Sequence, residues 1–377
     1  MFMKKKMSIT LLTTIMLVAG WSAVSADDVS VADLRAHGQA SVDELHKRWS
    51  EAAPDARAEL QKALDRVCAQ KDCHASRLYW YTDLEQAKEK ARWLGRPVLS
   101  LHLLGRLDEE LSCANSRFFR TLLYSDDTIA RIMREDYVLH WHSVRPVPLV
   151  TIEMGDGRVI RQTITGNSAH YLLSSDGAVL DMLPGLYSPD AFRERLEEWV
   201  QLDREVAGPR RAMKLQQYHQ LRFGETNARA IELGISRAQY SGQQPVWIAQ
   251  QQARSKAAIE IPMMRQLQRG GVDVARTLPV ARAESDEVRF SESTLALMRT
   301  KQTLTDALLD NLRRTVASDT QTNEYDLHRR VHEWFARGEV TDLQSLNERV
   351  YDELFQTPSS DPWLGLVPES VFVAMKE

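Results

Sequence analysis

Long apolar runs are nearly missing from this chain of 377 residues. Past the first two dozen positions no segment is apolar enough to cross a membrane, which takes about 20 such residues. A surplus of one charge sign is missing too. Lys and Arg number 48 against 52 Asp and Glu, a net charge of −4, so the chain carries no basic footprint for nucleic acid. Cysteine is scarce, with three in all, Cys68, Cys73 and Cys113. Glycine is modest at 17, while leucine and arginine are plentiful, the balance of a well-folded, helix-rich protein. The C-terminal half shows no repeat, no phosphate loop, no triad signature and no metal spacing, and no metal or cofactor is expected.

What is present begins at the start. Lys4, Lys5 and Lys6 precede an apolar run from Ile9 to Ala19, and Val24-Ser25-Ala26 supplies small residues beyond it. A charged start, a short apolar core and a small-x-small exit make a secretory signal peptide over residues 1–26. The mature chain is expected to begin at Asp27 and to work in the periplasm or outside the cell. Membrane contact would come only through this segment if it stayed uncleaved. No cysteine sits at the cleavage position, which argues against a lipoprotein.

Three regions follow. Residues 27–75 read as a helical extension. Ser41 and Glu44 have capping-box spacing, and Pro54 suits the first turn of a second helix carrying Leu60, Leu64 and Val67. Residues 76–203 alternate helix and strand. Helical spacing over Asp83–Leu94 ends at Gly95 and Pro97. Val98–Leu104 is a strongly apolar strand, and a helix follows Cys113. Tyr137–Val144 is a strand, Val150–Met154 and Arg158–Ile164 flank a Gly155-Asp156-Gly157 turn, and His170–Leu173 pairs back on Ala178–Leu183 through Asp176-Gly177. Pro189–Trp199 closes the region as a helix. Residues 204–377 read as mostly helical, with amphipathic stretches at Leu304–Leu312, Val331–Phe335 and Leu346–Phe355. Trp363 and Leu366 lie in a turn-rich tail expected to dock on the body.

The middle region resembles the thioredoxin superfamily, in particular its periplasmic members. The resemblance is carried by the entry from Ala87-Lys88 to Arg96-Pro97-Val98-Leu99, by Cys113-Ala114-Asn115-Ser116 where the family keeps Cys-x-x-Cys, by Tyr124-Ser125-Asp126, and by the closing hairpin from Leu172 to Tyr187. It implies a central mixed sheet flanked by helices, over roughly a third of the chain. Three departures stand out. Ser116 replaces the resolving cysteine. Ser168, in Gly166-Asn167-Ser168-Ala169, replaces the cis-proline of the loop that faces the motif. The loop before Cys113 is acidic, with Asp108, Glu109 and Glu110.

The chemistry turns on Cys113. A thiol at a helix start is exposed to free N–H groups that favour the thiolate. Without a second thiol it can form a mixed disulfide but needs an outside thiol for release. Ser116 could donate to such a thiolate, and His170, two residues beyond Ser168, is a candidate base. Cys68 and Cys73 are expected to pair in an oxidising compartment. With His74 they also make Cys-x4-Cys-His, a widened form of the haem attachment pattern. His102, His140 and His142 fall on neighbouring strands and either form a cluster that titrates or binds a metal, or are satisfied inside the core or against a covering helix. Two functions compete: monothiol exchange with exported or envelope proteins through Cys113, an oxidoreductase or isomerase-like activity, and a non-catalytic module that uses the fold as a scaffold for another envelope protein.

Overall fold

The computed structural model describes residues 30–163, 166–233 and 287–360. The expected leader at 1–26 and the tail around Trp363 lie outside the described residues. None of the described helices is long and apolar enough to cross a membrane.

The N-terminal extension is three helices and a turn: α1 (Val31–Ala36), α2 (Gln39–Glu51), α3 (Pro54–Cys68) and α4 (Cys73–Ser76). Pro54 occupies the first turn of α3, where its missing N–H costs nothing. Ser41 does not cap α2. Gly38, at φ 61°, turns the chain three residues earlier, so Ser41 lies inside the helix, buried. Val42, Leu45, Leu64, Val67, Cys68 and Cys73 form a small core of their own, with Tyr79 at its edge. Cys68 and Cys73 are joined, with their Cα atoms 6.2 Å apart. Arg35 ties this unit to the sheet, donating to Val67 O at 2.7 Å and Trp80 O at 2.8 Å.

A five-stranded mixed sheet is the centre of the molecule. Its strands are β1 (Trp80–Tyr81), β2 (Val98–Leu104), β3 (Val138–Arg145), β6 (Ser168–Leu173) and β7 (Val179–Pro184), in the order β1-β3-β2-β6-β7. The pairs β1–β3 and β2–β3 are parallel, while β2–β6 and β6–β7 are antiparallel. All seven residues of β2 are buried, as expected of a mainly apolar strand covered on both faces, with Ser100 and His102 its two polar members. β4 (Leu149–Glu153) and β5 (Val159–Thr163) form a separate hairpin. Helices α5 (Leu84–Leu94), α6 (Ala114–Phe118), α7 (Asp127–Asp136) and α8 (Pro189–Val206) connect and cover the strands. α8 runs seven residues beyond the expected end at Trp199, because Leu202 and Val206 continue its buried face.

The C-terminal region supplies α9 (Arg211–Glu232), α10 (Glu292–Lys301), α11 (Asp306–Thr322), α12 (Arg329–Ala336) and α13 (Leu343–Arg349). Wide π-helical turns occur at Phe119–Leu123, Asn323–His328 and Val350–Leu354. The C-terminal helices do not build a separate core among the described residues. Val316, Val331, Trp334, Leu346 and Val350 belong to the same continuous cluster as Leu99, Leu101 and Leu172 of the sheet. Gly185 marks the junction. It has φ +73°, and a Cβ there would sit 2.6 Å from the Asn323 amide, which itself donates to Leu186 O at 2.8 Å.

Candidate functional site

Cys113 immediately precedes α6, after a loop that leaves the buried end of β2. Its side chain is fully buried. Its amide donates to Leu104 O at 3.2 Å, and Sγ lies 2.9 Å from Ser168 Oγ. The loop holding Asn167 and Ser168 therefore faces the cysteine directly, through trans peptide bonds only, since the described residues contain no cis bond. Ser116 does not serve the thiol. Its hydroxyl donates to Ser112 Oγ at 2.6 Å and to Cys113 O at 2.8 Å. Arg117 turns to Ser112 O and Thr163 Oγ1.

His170 is not a base for Cys113 either. Its Nε2 lies 2.6 Å from the Tyr124 hydroxyl, and its ring sits among Phe119 and Phe192. Burial pushes its pKa down to about 3, so the ring is neutral at physiological pH. The C-terminal segment closes the approach to this region. Tyr351 OH donates to Asn167 O at 3.2 Å, Asn167 Nδ2 donates to Thr357 Oγ1 at 3.0 Å, and Arg145 donates to Pro358 O at 3.1 Å. Beside α6 an open cavity of about 280 Å³ is bordered by Arg117, Arg120, Lys301 and the apolar Phe118, Leu122 and Met298.

The strand histidines do meet. His102 pairs across the sheet with His142, their ring centroids 5.3 Å apart, and His140 Nδ1 bonds Ser100 Oγ at 2.8 Å. Burial first, then His142 and His140, hold His102 down to about 3, and burial holds His140 at about 4. A covering helix accounts for the arrangement. Asn347 Oδ1 of α13 accepts from Tyr171 OH at 3.0 Å and lies 3.0 Å from His102 Nδ1. His74 packs on Trp49 with centroids 5.0 Å apart, beside the Cys68–Cys73 bond.

A second polar centre was not anticipated from the sequence. Asp181, in the middle of β7, is fully buried. It accepts from Trp199 Nε1 at 2.9 Å, from the Met182 amide at 2.8 Å and from His328 Nε2 at 3.0 Å. Burial, the largest single influence, opposes its charge, but the surrounding histidines, His328 foremost, together hold the carboxyl below its usual range. Burial likewise opposes a charge on His328. Asp181, and then Glu324 at 3.6 Å from Nδ1, push it up to about 9. The His332 ring lies tilted against that of His328, with centroids 4.0 Å apart.

The tautomers around His332 follow from its neighbours. His219 Nε2 lies 2.8 Å from Leu180 O, a carbonyl that can only accept, so that nitrogen carries a proton. Burial lowers His219 to about 4, so the ring is neutral and its Nδ1 accepts. The Nδ1 of His332, 2.8 Å away, must then be the donor. His332 is itself held neutral by burial and by His328. Its Nε2 is left with a lone pair, buried and without a hydrogen-bond partner. One donor atom from each of Asp181, His328 and His332 falls within 4.8 Å of the others. The sequence held a signal for this centre: a lone acid inside an apolar strand, and two histidines four apart on one helical face. The expectation of no metal spacing in the C-terminal half overlooks this pair, since a partner acid lies in a distant strand.

Comparison with protein-family models, with curated proteins and with solved structures found no match.

Proposed function

We propose that this chain is an exported, thioredoxin-like protein in which the attacking-thiol position has become part of the core, and that the fold serves as a non-catalytic module for binding another envelope protein. The observation that carries this reading is the burial of Cys113. Its side chain has no exposed surface, and its sulfur is paired with Ser168. A thiol must meet its partner disulfide in line, which a sealed side chain cannot do. The sheet order, the helix that begins after Cys113 and the Ser168 loop opposite it support the family resemblance. The closure of that loop by Tyr351 and Thr357 supports loss of the exchange reaction. The cavity beside α6 gives such a module a concave face.

Monothiol exchange is the second reading, favoured by the placement of Cys113 against the Ser168 loop. It requires the 350–358 segment to lift. Alkylation of the native protein across pH, followed by mass mapping, separates the two. The scaffold reading expects Cys113 to react only at the rate of unfolding. Rapid modification of the folded protein, with mixed disulfides to envelope proteins that vanish in Cys113→Ser, would favour exchange instead. Export is tested on the same preparation: N-terminal sequencing of protein from its native envelope should begin at Asp27.

A further inference from the structure

The Asp181 centre is built as a metal site is built. A carboxylate and two imidazoles are the donor set of zinc and of the neighbouring late first-row ions. His328 and His332 are four apart, which puts both rings on one side of the helical run, and Asp181 reaches them from the sheet. Bonds of about 2.0–2.1 Å to a tetrahedral ion place ligand atoms about 3.4 Å apart. The three donor atoms here, all within 4.8 Å of one another, need shift only a little to reach that spacing.

Each candidate ligand also has an outer partner that fixes its orientation, as ligands of bound ions do. Asp181 is held by Trp199 Nε1 and the Met182 amide. His328 turns its Nδ1 toward the Glu324 carboxylate at 3.6 Å. His332 is held through Nδ1 by His219, which is anchored in turn on Leu180 O. What this network leaves over is His332 Nε2, fully buried and without a hydrogen-bond partner, while His328 Nδ1 has only its 3.6 Å approach to Glu324. A buried acceptor is seldom left unmatched, and an ion between the three side chains would match it.

We propose that Asp181, His328 and His332 bind one divalent ion of the zinc class, with His332 coordinating through Nε2, and that the ion fastens the C-terminal helices to the last strand of the sheet. On binding, the proton that His328 shares with Asp181 leaves to solvent, and the ion takes its place. All three residues are buried, a water would complete a four-coordinate shell, and the proposal is independent of what Cys113 does.

The test uses the mature chain without a histidine tag, purified without chelator. Elemental analysis should find close to one zinc per chain, and prolonged chelation should remove it with a fall in melting temperature that added zinc reverses. Cobalt(II) added to the stripped protein should give visible ligand-field bands of a four- or five-coordinate site. Glu324→Gln, which takes the charge from the outer partner of His328, should weaken zinc about 10- to 100-fold, and His332→Ala should abolish the bands. The wild-type titration stands even if a variant fails to fold. If the wild-type chain retains no metal, shows no cobalt bands and melts identically with and without zinc, the proposal is wrong. It is also wrong if folded His332→Ala binds zinc as tightly as wild type.

Discussion

Two polar centres lie between the sheet and the C-terminal helices, and they are opposites in kind. At Cys113 the groups are neutral, small and matched: a thiol on a hydroxyl, and hydroxyls on one another. At Asp181 the groups are ionised and depend on each other: a buried carboxylate, a charged His328 and a second carboxylate behind it. Removing a member of the first leaves a neutral group wanting a hydrogen bond. Removing a member of the second leaves a buried charge without its counter-charge, which costs several times more. The position that looks catalytic is thus the milder one to disturb, and the position with no motif is the severe one.

That contrast can be broken by measurement. Asp181→Ala should lose about 3–5 kcal/mol in chemical denaturation, since it strands His328. A loss below that of Cys113→Ala would overturn the ranking. Next, Gly185→Ala should cost about 1–3 kcal/mol, because it combines a left-handed backbone with a clash against Asn323. Pairing it with Asn323→Ala should return the part due to the clash.

Acid should act through the strand histidines. His102, His140 and His170 have folded pKa values of about 3, 4 and 3, below the unfolded value of about 6.5. The unfolded chain therefore takes up protons first, and the stability present above pH 6.5 falls as pH drops toward these folded values. Each ring contributes on the order of 1–2 kcal/mol of loss by pH 5. In denaturation curves at pH 7 and pH 5, His170→Phe should reduce the acid loss by one such share. An unchanged difference would remove His170 from the account. The smallest effect belongs to Cys113→Ala, about 1 kcal/mol for a lost weak hydrogen bond and a small void, read from the shift in the urea midpoint.

Much of the sheet could be read in the sequence because its signals are local. Val98–Leu104 is apolar except for Ser100 and His102, and the strand bounds match. Asp176-Gly177 sits at the turn between β6 and β7. Ser41 misled because serine before an apolar face is a cap signal, whereas the turn at Gly38 depends on a backbone angle that composition does not reveal. The placement of Ser168 opposite Cys113 came from a family pattern rather than from the spacing of these residues. The Asp181 centre escaped because its parts are about 150 positions apart. Asp181 alone reads as an oddity in a strand, and His328 and His332 alone read as part of an amphipathic helix. Only the tertiary contact of β7 with the Asn323–His328 turn makes them one object.

That turn also fixes the rotational phase of what comes after it. An α-helix advances about 100° per residue, and a π turn accommodates one more residue than an α turn before the chain resumes its spiral. The segment Asn323–His328 joins α11 to α12 without a break. Its surplus residue therefore sets the angular offset between the face of α11 that carries Leu312 and Val316 and the face of α12 that carries Val331 and His332. Winding that turn as ordinary α-helix with all its residues kept would swing one face away by roughly a quarter turn. The helix would stay whole, but its two halves would no longer address the sheet together.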